Sequence, residues 1–124
     1  DWTIRNVTVS GAQMVMDPKR YWNGDGVTAE RGTRNFRIIN VTSNDNTDSG
    51  FDLKGENFWL DNVSASGNTR NFRFWTSIRV GTMTVGDTLK RGGRSGTQGV
   101  WVLGNRENPP TITIEKLIVR MTKP

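Results

Sequence analysis

A six-residue pattern recurs five times along this chain of 124 residues. It reads apolar, any residue, asparagine, valine, hydroxyl, then small or apolar, and the last two copies keep only the apolar positions. The copies are IRNVTV from residue 4, IINVTS from 38, LDNVSA from 60, VGTMTV from 80 and IEKLIV from 114. Their starts lie 34, 22, 20 and 34 residues apart. A basic period of about 21 residues with two insertions predicts a solenoid, in which each repeat forms one coil.

A second short strand is predicted ahead of each later copy. These segments are VTA from residue 27, FDL from 51, FRF from 72 and VWV from 100. Their outer residues are apolar, so we expect the middle residue to face solvent. We expect Gly26, Gly50 and Gly99, just before three of them, to supply positive φ or close backbone approach at a corner. No helix longer than about one turn is predicted.

Composition narrows the chemistry. The length suits one domain over residues 1–124, and the absence of cysteine and histidine excludes disulfides, thiolate or ordinary zinc sites and imidazole bases. The net charge of +5 favours an anionic partner, namely an acidic polysaccharide, a nucleic acid or a membrane surface. No apolar run is long enough to span a bilayer. The lack of cysteine fits an extracytoplasmic bacterial protein, secreted or periplasmic.

The repeat resembles the right-handed parallel β-helix of pectate lyases, polygalacturonases, alginate epimerases and phage tailspikes. The resemblance covers nearly the whole chain, and it implies an all-β solenoid of about five coils with a stacked asparagine ladder at one corner. Asn6, Asn40 and Asn62 match that ladder, whereas Thr82 and Lys116 depart from it.

The same three asparagines form glycosylation sequons, which is the alternative interpretation of their recurrence. We expect ladder asparagines to be poorly accessible to a transferase. The chain starts inside a coil, at Trp2. We therefore expect it to be part of a longer solenoid, or to have its open N-terminal edge covered by another chain or segment.

The stretch NTDSGFDLKG, residues 46–55, has two interpretations. In the first it is only a coil turning a corner, with polar residues on a solvated face. In the second it belongs to a site, because stacking places charged and aromatic side chains on one outward face. The two stacked columns are Thr28, Asp52, Arg73 and Trp101, beside Glu30, Lys54, Trp75 and Leu103. The β-helix resemblance implies that uronate-rich chains bind this face.

A metal site is predicted by a further resemblance, to the calcium-binding corners of a pectate lyase family that uses a lysine base. Asp25, Asp48 and Asp52 match its acidic positions, while Ser49 replaces an acid and Glu30 stands where the lysine is expected. Three carboxylates on adjacent coils, with carbonyls and water, could hold Ca²⁺.

Two catalytic chemistries remain open on this face. A lyase would abstract a proton from a uronate, and its base would be Lys54 or Arg73, with neighbouring positive charge lowering the pKa. The alternative for Lys54 is a plain ion pair with Asp52. A hydrolase would need a carboxylate pair, for which Asp25 with Asp52, or Glu30 with Asp52, are the candidates.

Both insertions are predicted to flank the face. Residues 13–23 bring Tyr21 and Trp22, and residues 86–98 bring Lys90, Arg91 and Arg94. With Glu30, Trp75 and Trp101, these side chains are the predicted substrate-binding set, because aromatic rings stack on sugars and guanidinium groups bind carboxylates. The alternative is that both insertions are simple connections.

The sequence thus predicts a carbohydrate-active β-helix that binds an acidic polysaccharide or cleaves it by Ca²⁺-assisted β-elimination. One alternative is a non-catalytic glycan-binding, adhesin or structural module. Nucleic-acid binding through the basic loop at 90–94 is less favoured, because Arg91-Gly92-Gly93-Arg94 is its sole and weak motif.

Overall fold

The protein is all-β in a computed structural model that describes residues 1–14, 22–91 and 96–123. Within these ranges there are nine strands and no helix, as predicted. The strands are β1 (Trp2–Ser10), β2 (Val27–Ala29), β3 (Arg34–Asn44), β4 (Ser49–Leu53), β5 (Glu56–Ser66), β6 (Arg70–Phe74), β7 (Ile78–Val85), β8 (Gln98–Val102) and β9 (Ile112–Val119). No helix in the described part of the chain is long and apolar enough to cross a membrane.

The chain alternates between two parallel sheets. The long strands form a five-stranded sheet in the order β1-β3-β5-β7-β9, and the short strands form a four-stranded sheet in the order β2-β4-β6-β8. Every pairing is parallel, and the register aligns the repeat copies as the sequence predicts. The aligned sets are Ile4, Ile38, Leu60, Val80 and Ile114 in one sheet, and Val27, Phe51, Phe72 and Val100 in the other.

One apolar core receives side chains from both sheets. Like residues stack along it, with ring centroids 5.0 Å apart for Phe36 and Phe58 and again for Phe51 and Phe72. Full burial of each such ring contributes about 1.5–3 kcal/mol to stability. The core therefore fixes which alternate residues of each strand face outward.

The predicted asparagine ladder is present. Asn6, Asn40 and Asn62 have φ values of 58°, 54° and 49°, and each later amide donates to the one before it, at 3.0 and 2.8 Å. Asparagine tolerates this left-handed conformation better than most residues do. The expectation of poor accessibility is wrong, because all three asparagines are exposed where the long strands bend.

A second, buried ladder occupies the corner between the long and short strands. The Nδ2 group of Asn46 donates to Oδ1 of Asn68 at 2.8 Å, and Nδ2 of Asn68 donates to Oδ1 of Asn71 at 3.0 Å. Gly50 allows this packing, because a Cβ there would lie 2.6 Å from the carbonyl oxygen of Asn71. Gly50 does not have positive φ, so close approach is its role.

The outer strands of the five-stranded sheet leave apolar side chains exposed. These are Trp2 and Val7 on β1, and Leu117 and Val119 on β9. An open edge on β1 was predicted, and exposed edges of this kind can pair with further strands. What covers either edge stays a prediction.

Candidate functional site

The outward side of the four-stranded sheet carries the predicted cluster, which we call the charged face: Asp48, Asp52, Lys54, Arg70, Arg73, Trp75 and Trp101. Register places Thr28, Asp52, Arg73 and Trp101 in one column, as predicted. Phe51 and Leu53 point into the core, so the residue between them must point outward. The repeat therefore positions the face.

The carboxylates of the charged face are buried rather than solvated. Asp48 is 1% exposed and accepts a hydrogen bond from Nη1 of Arg70, while its other oxygen lies 3.5 Å from Nη1 of Arg73. Asp52 is 2% exposed and accepts a 2.7 Å hydrogen bond from Nε1 of Trp75. Residues 46–55 turn the corner from β3 into β4, as the first interpretation predicts, but the expectation that their polar side chains are solvated is wrong.

Lys54 forms the ion pair that was one of its two interpretations. Its Nζ atom lies 2.9 Å from Oε1 of Glu30 and 3.2 Å from Oδ2 of Asp52. Burial lowers the pKa of Lys54, but the hydrogen bonds to Glu30 and Asp52 outweigh burial and raise it above the ordinary value of 10.5. The predicted lowering of this pKa is wrong, because the nearest charges are negative.

The charged face consequently offers no ready proton acceptor at Lys54 or Arg73. The ammonium of Lys54 stays protonated at neutral pH, and a guanidinium has no acceptor lone pair. Arg73 lies beside both buried carboxylates, at 3.5 Å from Asp48 and 4.0 Å from Asp52. Neither group can therefore take a proton from a ligand.

The three carboxylates proposed for Ca²⁺ do not fit the ion as they are arranged. Both oxygens of Asp48 face arginines, and those of Asp52 face Trp75 and Lys54. Oδ1 of Asp25 accepts a 2.9 Å hydrogen bond from the Ser49 amide. In the part of the chain that the structure describes, no three His, Cys, Asp or Glu side chains group closely enough for a metal. Binding of Ca²⁺ stays a prediction.

Burial also perturbs Asp25. Desolvation raises the pKa of Asp25 above 3.8, and repulsion from Asp48 and Asp52 adds to this, although the Ser49 hydrogen bonds oppose it. Asp25 is half-buried. Its raised pKa means that the ionised form of Asp25 is unfavourable for folding.

Two tryptophans of the charged face contact cationic groups. The guanidinium carbon of Arg73 lies 4.7 Å from the Trp75 ring centroid and 5.0 Å from that of Trp101. Arg70 lies 4.8 Å from Trp101, and Arg31 lies 5.5 Å from Trp75. Both rings are half-buried. On this face, the contacts with arginine side chains restrain both tryptophan rings.

The insertions contribute differently from what was predicted. Trp22 is 7% exposed, so its ring is buried rather than offered for stacking. It lines a cavity of about 360 Å³ together with Lys90 and Arg91. Arg91 donates to Asp45 at 3.0 Å, which ties this insertion to a corner. Tyr21 and Arg94 lie outside the described residues.

A second surface was missed by sequence reasoning. On the outer side of the five-stranded sheet, Arg37, Trp59 and Arg79 stand in one register column and line a groove of about 920 Å³. Each of the three comes one position before a repeat copy. The signal for this column in the sequence is therefore the residue just before each repeat copy.

Comparisons with known proteins give no information on the function. No family model, curated protein or solved structure matches the chain. The physical observations that remain are two parallel sheets, a net charge of +5 and two surfaces on which tryptophan and arginine adjoin. Any function has to be argued from those surfaces.

Proposed function

We propose that this chain is a right-handed parallel β-helix module that binds an acidic polysaccharide without cleaving it. The fold part is supported by the alternation of the chain between two parallel sheets at the repeat period. Crossovers between parallel strands are right-handed in about 98% of cases, which supports the hand. Each crossover then makes one coil.

The observation that carries the binding function is the contact of Arg73 with both Trp75 and Trp101. A half-buried indole held by its neighbours is a rigid surface for the apolar side of a sugar ring. Guanidinium groups bind carboxylates bidentately, which suits the carboxylate of a uronate. Arg70 and Arg73 already face Asp48 and Asp52, so the proposed ligand of that carboxylate is Arg31, which is exposed and lies 5.5 Å from the Trp75 ring centroid. Rings and cations on one face match the two parts of an acidic sugar.

The charges of the face support binding over cleavage. A lyase needs a base, yet Lys54 has a raised pKa because it is bonded to Glu30 and Asp52. A hydrolase needs a carboxylic acid with access to the glycosidic oxygen, whereas Asp52 is buried under Trp75. The paired charges hold the sheet face in shape.

The test is calorimetric titration with polygalacturonate and alginate, and with a neutral glucan as the reference. We expect the acidic chains to bind and the neutral glucan not to bind. Trp101→Ala should weaken binding about tenfold, or about 1.4 kcal/mol, because it removes a ring on which the sugar packs. Arg31→Gln should weaken it too, with a smaller dependence on salt. The matched control is Arg120→Gln, an exposed arginine that directly follows β9 of the other sheet.

Circular dichroism melting of each variant shows that it is folded. Equal affinity of wild type and Trp101→Ala for the acidic chains would contradict the proposal. Ultraviolet absorbance of an unsaturated uronate product, measured with and without Ca²⁺, tests the lyase. If wild type forms this product, the protein is a lyase and the proposal of binding without cleavage is wrong.

A further inference from the structure

The groove on the five-stranded sheet is lined by one tryptophan with an arginine on each side of it. Trp59 lies on β5, with Arg37 beside it on β3 and Arg79 beside it on β7. Neighbouring strands lie about 4.8 Å apart, so the two arginines are roughly 9.6 Å apart along the column. The guanidinium carbon of Arg79 lies 5.9 Å from the Trp59 ring centroid. The ring is half-buried and both arginines are exposed.

Asp61, two positions after Trp59 on β5, has a carboxylate that is already engaged. Oδ1 of Asp61 accepts hydrogen bonds from the amides of Asn62 and Thr82, each at 2.9 Å. Asp61 leans over Gly81, where a Cβ would overlap its carboxylate. Among the described residues, Arg37 and Arg79 form neither an ion pair nor a hydrogen bond. Their charges are thus available to a ligand.

The remaining lining favours a sugar over a nucleic acid. Asn35, Asn57 and Glu115 also line the groove, and Nδ2 of Asn57 donates to Oδ1 of Asn35 at 2.8 Å. Amides and a carboxylate together supply both donors and acceptors, which sugar hydroxyls require. A phosphodiester backbone offers only acceptors, so it would leave the amide and carboxylate oxygens of this lining without a donor.

We infer that this groove is a second binding site for an acidic sugar chain, with one sugar ring on Trp59 and its carboxylate on Arg37 or Arg79. The inference shares its ligand class with the proposed function, but it rests on different residues of a different sheet. The two sites can therefore stand or fall separately. Two sites on one module would strengthen attachment to a long polymer, because the second contact is intramolecular.

The experiment is calorimetric titration with a uronate hexasaccharide, short enough to report sites individually, on the 124-residue chain. We expect two sites per chain for wild type. Arg79→Gln and Trp59→Ala should each remove one site or weaken it about tenfold, or about 1.4 kcal/mol, because the first removes a charge-assisted hydrogen bond and the second removes the ring under the sugar. Arg5→Gln is the matched control, since Arg5 is exposed on the same sheet in the neighbouring column.

The variants separate the two claims. One site, weakened by Trp101→Ala and unaffected by Arg79→Gln, would overturn the groove and leave the proposed function standing. One site, weakened by Arg79→Gln alone, would overturn the charged face as the binding surface and support the groove. Single-stranded DNA that binds more tightly than the hexasaccharide and loses affinity in Arg79→Gln would overturn the sugar assignment. If Arg5→Gln lowers the affinity for the hexasaccharide as much as Arg79→Gln does, general electrostatic attraction explains the binding and the groove is not a specific site.

Discussion

The buried asparagine ladder yields a prediction about stability, through Asn68→Ala. Oδ1 of Asn68 accepts from the backbone N–H and from Nδ2 of Asn46, at 2.9 and 2.8 Å. Its Nδ2 group donates to the Ser43 carbonyl at 2.9 Å and to Oδ1 of Asn71 at 3.0 Å. Alanine removes all of these bonds at a site where the residue is fully buried.

The cost follows from what is left unpaired. The N–H of Asn46 loses its partner in the interior, which costs about 1–3 kcal/mol, and the other lost bonds cost about 1 kcal/mol each. The sum is about 4–6 kcal/mol, a large part of the roughly 5–15 kcal/mol that stabilises a typical domain. We therefore expect Asn68→Ala to be partly unfolded or to melt far below wild type.

Urea unfolding followed by circular dichroism measures this, with the free energy taken from linear extrapolation. The matched control is Asn62→Gly in the exposed ladder, whose amide bond to Asn40 is replaced by water. Glycine accepts the φ of 49° there, so we expect a loss below about 1 kcal/mol. If Asn68→Ala cost no more than Asn62→Gly, the reasoning from buried hydrogen bonds would be refuted.

Two further predictions concern charges. Asp25→Asn keeps an acceptor for the Ser49 amide and removes a buried charge, so it should melt above wild type at pH 7. Because the pKa of Asp25 is raised in the folded state, wild type loses stability as the pH rises from about 3.8 through that raised pKa. Below about pH 3.8 Asp25 is protonated in both states, so the variant and wild type should have the same melting temperature. A variant that melts at or below wild type at pH 7 would contradict this. Arg70→Met should cost about 3–5 kcal/mol in urea unfolding, since it strips the buried Asp48 of a partner. Arg34→Met, which breaks an exposed pair 4.0 Å long, should cost less than about 1 kcal/mol, and equal losses would show that burial is not decisive.

Much of the charged face could be predicted from the repeat, because stacking in register turns sequence spacing into spatial columns. Asp52 and Arg73 are adjacent for this reason. The buried ladder could also have been found, since Asn46 and Asn68 are separated by 22 residues, as are two of the repeat copies. The six-residue motif lies within the long strands and does not include this corner, so the motif alone does not reveal the ladder.

The chemistry of these groups could not be predicted in the same way. The direction of the pKa shift of Lys54 depends on whether cationic or anionic neighbours come closest, and Glu30 and Asp52 do. The accessibility of Trp22 depends on how an insertion folds back, which no strand period encodes. Long side chains reach across coils, so their contacts depend on distances that spacing leaves open.

The sequence alone determined the all-strand character, the register of both sheets and the outward direction of the middle residue of each short strand, because a repeated apolar alternation stacks like residues on one another. The tertiary structure decided which outward residues are solvated. Asp52 points outward yet is buried, because Trp75 and Lys54 cover it. Direction follows from local backbone geometry, whereas burial depends on side chains that come from other strands.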